Sequence, residues 1–220
     1  MVHALDPVDE FLVDNQLVEG LIASGDIAVL YGAPKTGKSF LAVDLAVALS
    51  NGDGWFDRAV SPAKVLYWAG EDFSGLIARR TACARHKGGC GVFSIGNDPL
   101  SLAPSQATDT VDALADVLRY ELAPSRLEDP SNYVSLPPVL IIDTWAMLTA
   151  SMDENSGKDM SAAMAALREF QARVSNLTTI VTHHAGKDGS RGMRGHSSLL
   201  AAVDVAIEVD KSSKGLGRWT

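Results

Sequence analysis

Eight consecutive residues near the start of the chain have the types and spacing of a loop that binds phosphate. They read GAPKTGKS and fit the pattern G-x-x-x-x-G-K-[ST]. Glycines let backbone amides curl around a polyphosphate, and a following helix turns its positive end towards that charge. In such a loop Lys38 reaches the β- and γ-phosphates and the Ser39 hydroxyl binds Mg²⁺. We therefore predict that ATP binds at Gly32, Ala33, Pro34, Lys35, Thr36, Gly37, Lys38, Ser39 and Phe40.

The segments on either side of this loop are those that phosphate binding requires. Residues 27–31 (IAVLY) form a short apolar run that is typical of a buried parallel strand. Residues 40–49 are almost continuously apolar and predict a buried helix. A strand, a glycine loop and a helix in this order aim the loop amides at a bound anion.

Asp143 is a second candidate for the same site. It ends the apolar run VLIID, more than 100 residues after the loop. A carboxylate at the end of a buried strand, downstream of a phosphate loop, holds the Mg²⁺ shell in nucleotide hydrolases. Ser39 and Asp143 are therefore the predicted metal-binding residues.

Two adjacent acids follow the predicted strand 64–69. Hydrolysis needs a carboxylate that orients or deprotonates the attacking water, and Glu71 is the candidate. The alternative is that Glu71 and Asp72 are solvated or cap the next helix. The residues by themselves do not choose between these interpretations.

Two adjacent histidines end the predicted strand 178–182. A histidine can donate a hydrogen bond to phosphate in either charge state, so His183 or His184 could contact the γ-phosphate. The alternative is that they only terminate the strand. Because neighbouring strand residues point to opposite faces, at most one of them faces the nucleotide.

Residues 187–195 (KDGSRGMRG) contain three basic residues and three glycines. A flexible cationic loop suits the phosphate backbone of single-stranded DNA, which predicts Lys187, Arg191 and Arg194 as contacts. The segment has no aromatic residue for base stacking. The alternative is a solvated loop without a ligand.

Composition limits the class of protein. The 220 residues carry a net charge of -8, which argues against a protein that coats nucleic acid through overall basicity. No run has the length of a membrane span and no signal pattern opens the chain, so we expect a cytoplasmic protein without membrane contact. Cys83 and Cys90 flank His86 without an evident fourth ligand, which favours ordinary thiols over a zinc site.

Apolar runs and helical patterns alternate along the chain. We predict further helices at 74–86, 110–121 and 161–174, and strands at 92–95 and 203–209. Residues 123–138 contain four prolines and predict a loop, and residues 1–24 an edge segment. This order predicts an α/β fold with a doubly wound, mainly parallel sheet, whose ligands bind beyond the carboxyl ends of the strands.

The ordered motifs resemble those of the RecA-like ATPases, and most closely the RepA-type hexameric replicative helicases of plasmids and phages. The motifs are GAPKTGKS, YWAGED, VLIIDTWAML, DENSGKDM and VTHHAGKDGSRGMRGHSSL. The phosphate loop alone is shared by many families, whereas the HHAGK and DENS segments are far more specific. The resemblance covers residues 15–210.

The resemblance implies a RecA-like P-loop NTPase core that forms a single domain over residues 1–220. It implies that strand 178–182 lies between the strands that end at the loop and at Asp143. Glu71 matches the family's catalytic glutamate and His184 its γ-phosphate sensor, with His183 as the fallback. Residues 185–196 match the DNA-facing loop of a hexameric ring in which ATP lies between subunits.

The C-terminal part departs from the family pattern. Residues 202–206 (AVDVA) have no basic residue where a RepA-type arginine would reach the neighbouring subunit's ATP. The ending GLGRWT is typical of a hairpin that enters a strand lying past residue 220. Because loss of such an arginine costs about 10³–10⁵ in turnover, we expect slow hydrolysis by these residues.

Three functions are consistent with these patterns. The first is an ATP-driven helicase motor on single-stranded DNA. The second is a DNA-binding RecA-like ATPase that assembles or regulates without unwinding. The third is a small-molecule phosphotransferase, which would need an arginine-rich substrate lid. Residues 123–138 contain only Arg126, so we rank it last.

Overall fold

A computed structural model describes residues 15–87, 93–122, 136–185, 197–211 and 217–219. In these residues the strands are β1 (Gln16–Val18), β2 (Ile22–Ala23), β3 (Ile27–Gly32), β4 (Lys64–Ala69), β5 (Ser94–Gly96), β6 (Pro138–Asp143), β7 (Thr178–His184), β8 (Val205–Lys211) and β9 (Gly217–Trp219). The helices are α1 (Lys38–Asn51), α2 (Phe73–Lys87), α3 (Ala107–Leu122), α4 (Trp145–Leu148), α5 (Gly157–Arg173) and α6 (Ser197–Ala202).

Seven of these strands form one sheet in the order β5-β4-β6-β7-β3-β8-β9. Every neighbouring pair is parallel except β8 and β9. Strand β7 lies between β3 and β6, as the resemblance predicts. The structure therefore confirms the doubly wound, mainly parallel α/β sheet.

Helices cover both faces of the sheet, and strand residues alternate between two cores. Ala28, Val65 and Ile141 pack on the face that α1 and α2 cover. Their neighbours Ile27 and Leu66 pack on the face that α3, α4 and α5 cover. Burial on both faces explains why the strand sequences are continuously apolar and do not alternate with polar residues.

The helices and strands agree with the sequence-based expectations, with shifts at their ends. Strand 92–95 lies at Ser94–Gly96, and the strand expected at 203–209 begins only at Val205. Asp204 is excluded from that strand because its carboxylate accepts a hydrogen bond from the Ile27 amide at 2.8 Å and pairs with Arg168. Helices α4 and α6 were not predicted.

The two ends of the described chain both extend the fold. Strands β1 and β2 form a small antiparallel ribbon, and Leu17 and Ile22 in this ribbon are buried in the core on one face of the sheet. At the other end, β9 pairs with β8. We had expected that second hairpin strand past residue 220, but it begins at Gly217.

In the described residues no helix combines the length and the apolar character needed to cross a membrane.

Candidate nucleotide-binding site

A cleft of about 490 Å³ opens at the carboxyl ends of β3, β4, β6 and β7. This is the end of a parallel sheet where ligands bind in doubly wound folds. The cleft is lined by Pro34, Lys35, Gly37, Lys38, Ser39, Phe40, Ala69, Glu71, Asp72, Leu76, Arg79, Asp143, Thr144 and His184. Segments far apart in the sequence therefore meet at one site.

The glycine loop joins β3 to α1 in a conformation that leaves its amides available. Gly37 is the N-cap of α1 and has a φ of 103°, a left-handed conformation that glycine adopts without strain. Because Gly37 has no side chain, no cap group of its own competes for the first amides of the helix. The Thr36 hydroxyl donates to the Ala33 carbonyl at 2.9 Å and closes the loop on itself.

Lys38 lies inside this loop and is only 7% exposed. Its Nζ donates to the carbonyl oxygens of Gly32 and Ala33, both at 2.9 Å. Burial lowers the pKa of Lys38 below 10.5, while the negative charges of Asp143 and Glu71 act in the opposite direction. The loop is thus formed around a desolvated cation, which a bound anion would stabilise.

Gly32 ends β3 where the backbone of β8 approaches most closely. A Cβ atom at this position would lie 2.1 Å from the Val209 carbonyl oxygen. No side-chain rotation can relieve that contact, because the clashing atom belongs to a paired strand. The first glycine of the motif is therefore required by packing as well as by phosphate binding.

We expect Gly32→Ala to lower the free energy of unfolding by about 1–3 kcal/mol, the usual cost of overpacking a core. Chemical denaturation of the nucleotide-free chain measures this loss. Gly54→Ala is the matched control, because its added Cβ would lie 3.4 Å from the Arg58 carbonyl oxygen, an ordinary contact. Equal stabilities for the two variants would contradict the close approach of β8.

Asp143 is held by donors on both neighbouring strands. The Tyr67 hydroxyl on β4 donates to Oδ2 at 2.8 Å, and the Thr182 hydroxyl on β7 donates to Oδ1 at 2.5 Å. Burial, followed by the charge of Asp143, raises the pKa of Tyr67 well above 10.0, so the phenol keeps its proton and remains a donor. Both carboxylate oxygens are therefore fixed in direction, facing the cleft.

The two adjacent acids after β4 have different surroundings. Oε1 of Glu71 accepts a hydrogen bond from the Thr144 hydroxyl at 2.8 Å, which ties it to the end of β6. Asp72 instead accepts from the Gly75 amide at 2.8 Å at the start of α2 and pairs with Arg79. That amide, followed by Arg79, lowers the pKa of Asp72. The helix-cap alternative thus describes Asp72, while Glu71 is held against β6.

The two histidines at the end of β7 point to opposite faces, as the strand period predicts. His183 is 1% exposed and packs inside the protein. His184 lines the cleft, on the same face as Thr182. Its Nδ1 is buried and has no hydrogen-bond partner among the described residues. Of the two, His184 is the one placed to contact a ligand.

The other predicted residues fall into three groups. Gly32, Ala33 and Thr36 belong to the glycine loop but are not among the residues that line the cleft. Pro34, Lys35, Ser39 and Phe40 line the cleft. The predicted DNA contacts Lys187, Arg191 and Arg194 lie outside the described residues. The segment 202–206 lies at the start of β8, at the opposite end of the strand from the cleft.

Sequence reasoning missed several residues around the cleft, notably Tyr67, Arg79, Thr144 and Thr182. A usable signal existed for the strand residues. On β7, Thr182 and His184 are two positions apart and must share a face. Arg79 lies seven residues after Asp72, about two helical turns, so it shares a face of α2 with the cap residue.

Oxygen atoms of side chains at the cleft are suitable ligands for a magnesium ion. Ser39 and Asp143 offer a hydroxyl and a carboxylate, which are hard ligands of the kind Mg²⁺ takes. In the described part of the chain, no three His, Cys, Asp or Glu side chains form a cluster that could hold a metal. Few protein ligands are typical of a magnesium site that substrate phosphates complete.

Comparison with known families agrees with this geometry. A family model described as "AAA domain" matches residues 9–190, which include the glycine loop, Glu71, Asp143 and His184. A search of curated proteins found no match. The family match covers well over half of the chain and supports nucleotide binding by a P-loop ATPase. The chain therefore belongs to the AAA domain family of P-loop ATPases.

Proposed function

We propose that this ATPase is the RecA-like motor domain of a RepA-type replicative DNA helicase, acting as a ring on single-stranded DNA. The observation that carries the proposal is the position of His184. It lines the nucleotide cleft and is the last residue of β7. Lys187, the first basic residue of the glycine-rich segment, follows three residues later. A contact with phosphate would therefore act directly on the start of the DNA-binding segment.

The cleft residues divide the chemistry of ATP hydrolysis among them. Glu71, held by Thr144, orients and deprotonates the attacking water. Lys38 and His184 donate to phosphate oxygens. Ser39 and Asp143 would hold Mg²⁺, which when bound would neutralise charge on the phosphates. The hydrogen bonds from the Tyr67 and Thr182 hydroxyls hold the Asp143 carboxylate in one orientation before substrate binds.

In a RepA-type ring, a basic residue of a neighbouring subunit would reach the ATP site. The basic residues that line the cleft are Lys35, Lys38 and Arg79, and Arg79 is paired with Asp72. Asp204, in the segment 202–206 where a RepA-type arginine would fall, pairs with Arg168 before β8 begins. In a nucleotide-dependent hexamer this cleft would face a neighbouring subunit, and because residues 202–206 carry no basic residue, we expect hydrolysis to be slow.

We expect the double variant Arg191→Ala with Arg194→Ala to weaken binding of single-stranded DNA. Each neutralised phosphate contributes about 0.7 to the slope of log affinity against log salt, so the slope should fall by roughly 1.4. Fluorescence anisotropy with a labelled oligonucleotide at several salt concentrations measures both quantities. An unchanged affinity and slope would refute the DNA assignment and favour the phosphotransferase.

The control for this experiment removes the same charge elsewhere. Arg85 and Arg119 lie in the last turns of α2 and α3, and both are exposed. Arg85→Ala with Arg119→Ala should leave the salt slope close to that of the wild type. A fall equal to that of the loop variant would show that DNA responds only to net charge.

Two further measurements separate a helicase from a regulatory DNA-binding ATPase. A strand-displacement assay with ATP and Mg²⁺ should release the shorter strand of a forked duplex. Native mass spectrometry with ATP, Mg²⁺ and an oligonucleotide should show a hexamer that is absent without nucleotide. DNA binding and ATP hydrolysis without displacement would support the regulatory function.

A further inference from the structure

The cleft has two parts with different chemistry. One part presents the buried Lys38 ammonium together with the carboxylates of Glu71 and Asp143. Its rim presents the ring of Phe40 and the Arg79 side chain. A nucleoside triphosphate has the same division, since it joins a highly charged chain to a flat, largely apolar base. The phosphates, Mg²⁺ and the attacking water account for the first part, whereas the chemistry of hydrolysis assigns no step to the side chains of the second.

Phe40 is unusually exposed for its position. It lies in the first turn of α1, where the following residues Leu41, Ala42 and Val43 are all buried. Yet 62% of Phe40 is accessible to solvent. Exposure of a large apolar ring to water is unfavourable. Another apolar surface that covered the ring would remove this cost.

Arg79 is held beside this ring. Its Cζ lies 5.5 Å from the centroid of the Phe40 ring, within the range of a cation–π contact. Its Nη2 donates to Oδ2 of Asp72 at 2.8 Å, and Oδ1 of Asp72 accepts from the Gly75 amide. The guanidinium is thus fixed from α2 against a ring that belongs to α1. Two planar groups from separate helices therefore share one rim of the cleft.

We propose that Phe40 and Arg79 form a stacking platform for the base of the bound nucleoside triphosphate. Aromatic rings and guanidinium groups both stack on base faces, and every base has such a face. The platform therefore selects for the size of the base more than for its exocyclic groups. Purine triphosphates should bind more tightly than pyrimidine triphosphates. This inference rests on the proposed placement of the phosphates at Lys38.

The test separates the base from the phosphates. Isothermal titration calorimetry on the full chain compares ATP, CTP and inorganic triphosphate, each with Mg²⁺. The wild type should bind ATP more tightly than CTP, and both more tightly than triphosphate. Phe40→Ala should weaken ATP binding by roughly 5- to 150-fold, the range measured for base–aromatic stacking, and leave triphosphate unchanged.

Two variants keep the result interpretable. Phe40→Trp retains a flat ring and should hold ATP affinity within a few-fold of the wild type. Phe56→Ala removes an aromatic residue that is 49% exposed but does not line the cleft, and should leave all three ligands unaffected. Thermal unfolding of each variant without ligand shows whether it is folded.

The outcomes distinguish this inference from the proposal on which it rests. If the wild type binds ATP and triphosphate equally, or Phe40→Ala weakens both to the same degree, the platform is refuted while the phosphate site stands. If the wild type binds neither ligand, the phosphate assignment fails and the platform fails with it. Weaker binding of ATP by Phe40→Ala, with unchanged binding of triphosphate, supports the platform.

Discussion

Glu71→Gln is expected to lower the rate of ATP hydrolysis by about 10²- to 10⁴-fold while ATP still binds. Glutamine has the size of glutamate, and its amide oxygen can accept the same hydrogen bond from the Thr144 hydroxyl. It cannot take a proton from water. The variant therefore removes the base and preserves the geometry. A phosphate-release assay at saturating ATP measures the rate, and calorimetry measures the affinity.

The adjacent acid supplies the control for this variant. Asp72→Asn keeps an N-cap residue at the start of α2, because asparagine caps helices as well as aspartate does. It should reduce the rate by several-fold at most, through a weaker hold on Arg79. If Asp72→Asn were as slow as Glu71→Gln, or Glu71→Gln as fast as the wild type, Glu71 would not be the base.

Lys38→Ala is expected to weaken binding of ATP by about 30- to 5,000-fold, the cost of truncating one member of a buried, charged hydrogen-bonded pair. Lys38 brings the positive charge to the centre of the loop, where burial strengthens its attraction to phosphate. Hydrolysis should fall below detection as a consequence. Calorimetric titration with ATP and Mg²⁺ measures the loss.

The free energy of unfolding of the variant shows whether the loss of ATP binding comes from the missing ammonium group or from unfolding. Because burial lowers the pKa of Lys38, the folded protein binds its proton less well than the unfolded chain does. The free energy of unfolding therefore rises with pH as the solution passes from the folded pKa towards 10.5. Lys38→Ala removes this penalty, so the nucleotide-free variant should remain folded. Lys64→Ala, at the far end of β4, should bind ATP normally.

The phosphate loop and the order of helices and strands could be read from the sequence because both depend on local spacing. Continuous apolar runs predict strands that are buried on both faces, and β3, β4, β6 and β7 lie where those runs are. The first and last residues of some strands differ from the prediction. Asp204 was expected inside β8, but its contacts with Ile27 and Arg168, which are distant in sequence, place it before the strand.

The sequence predicted which residue types form the candidate site, but not the contacts that position each of them. The residues made Glu71 the candidate base and allowed at most one of the two histidines to face a nucleotide, and the resemblance pointed to His184. The residues left open that Glu71 and Asp72 are both solvated or cap α2, because this depends on where α2 starts. Asp72 became the cap and Glu71 was left to meet Thr144 on β6. Because His183 is buried inside the protein, His184 is the histidine that lines the cleft.

By itself, the sequence determined that a phosphate loop lies between a strand and a helix, because glycine, lysine and serine at fixed spacing act through the local backbone. Tertiary structure alone decided what surrounds the loop. Tyr67 and Thr182 reach Asp143 only because β6 lies between β4 and β7. Phe40 and Arg79 meet only because α1 and α2 pack on one face of the sheet. Contacts between distant segments depend on strand order and helix packing, which no local pattern encodes.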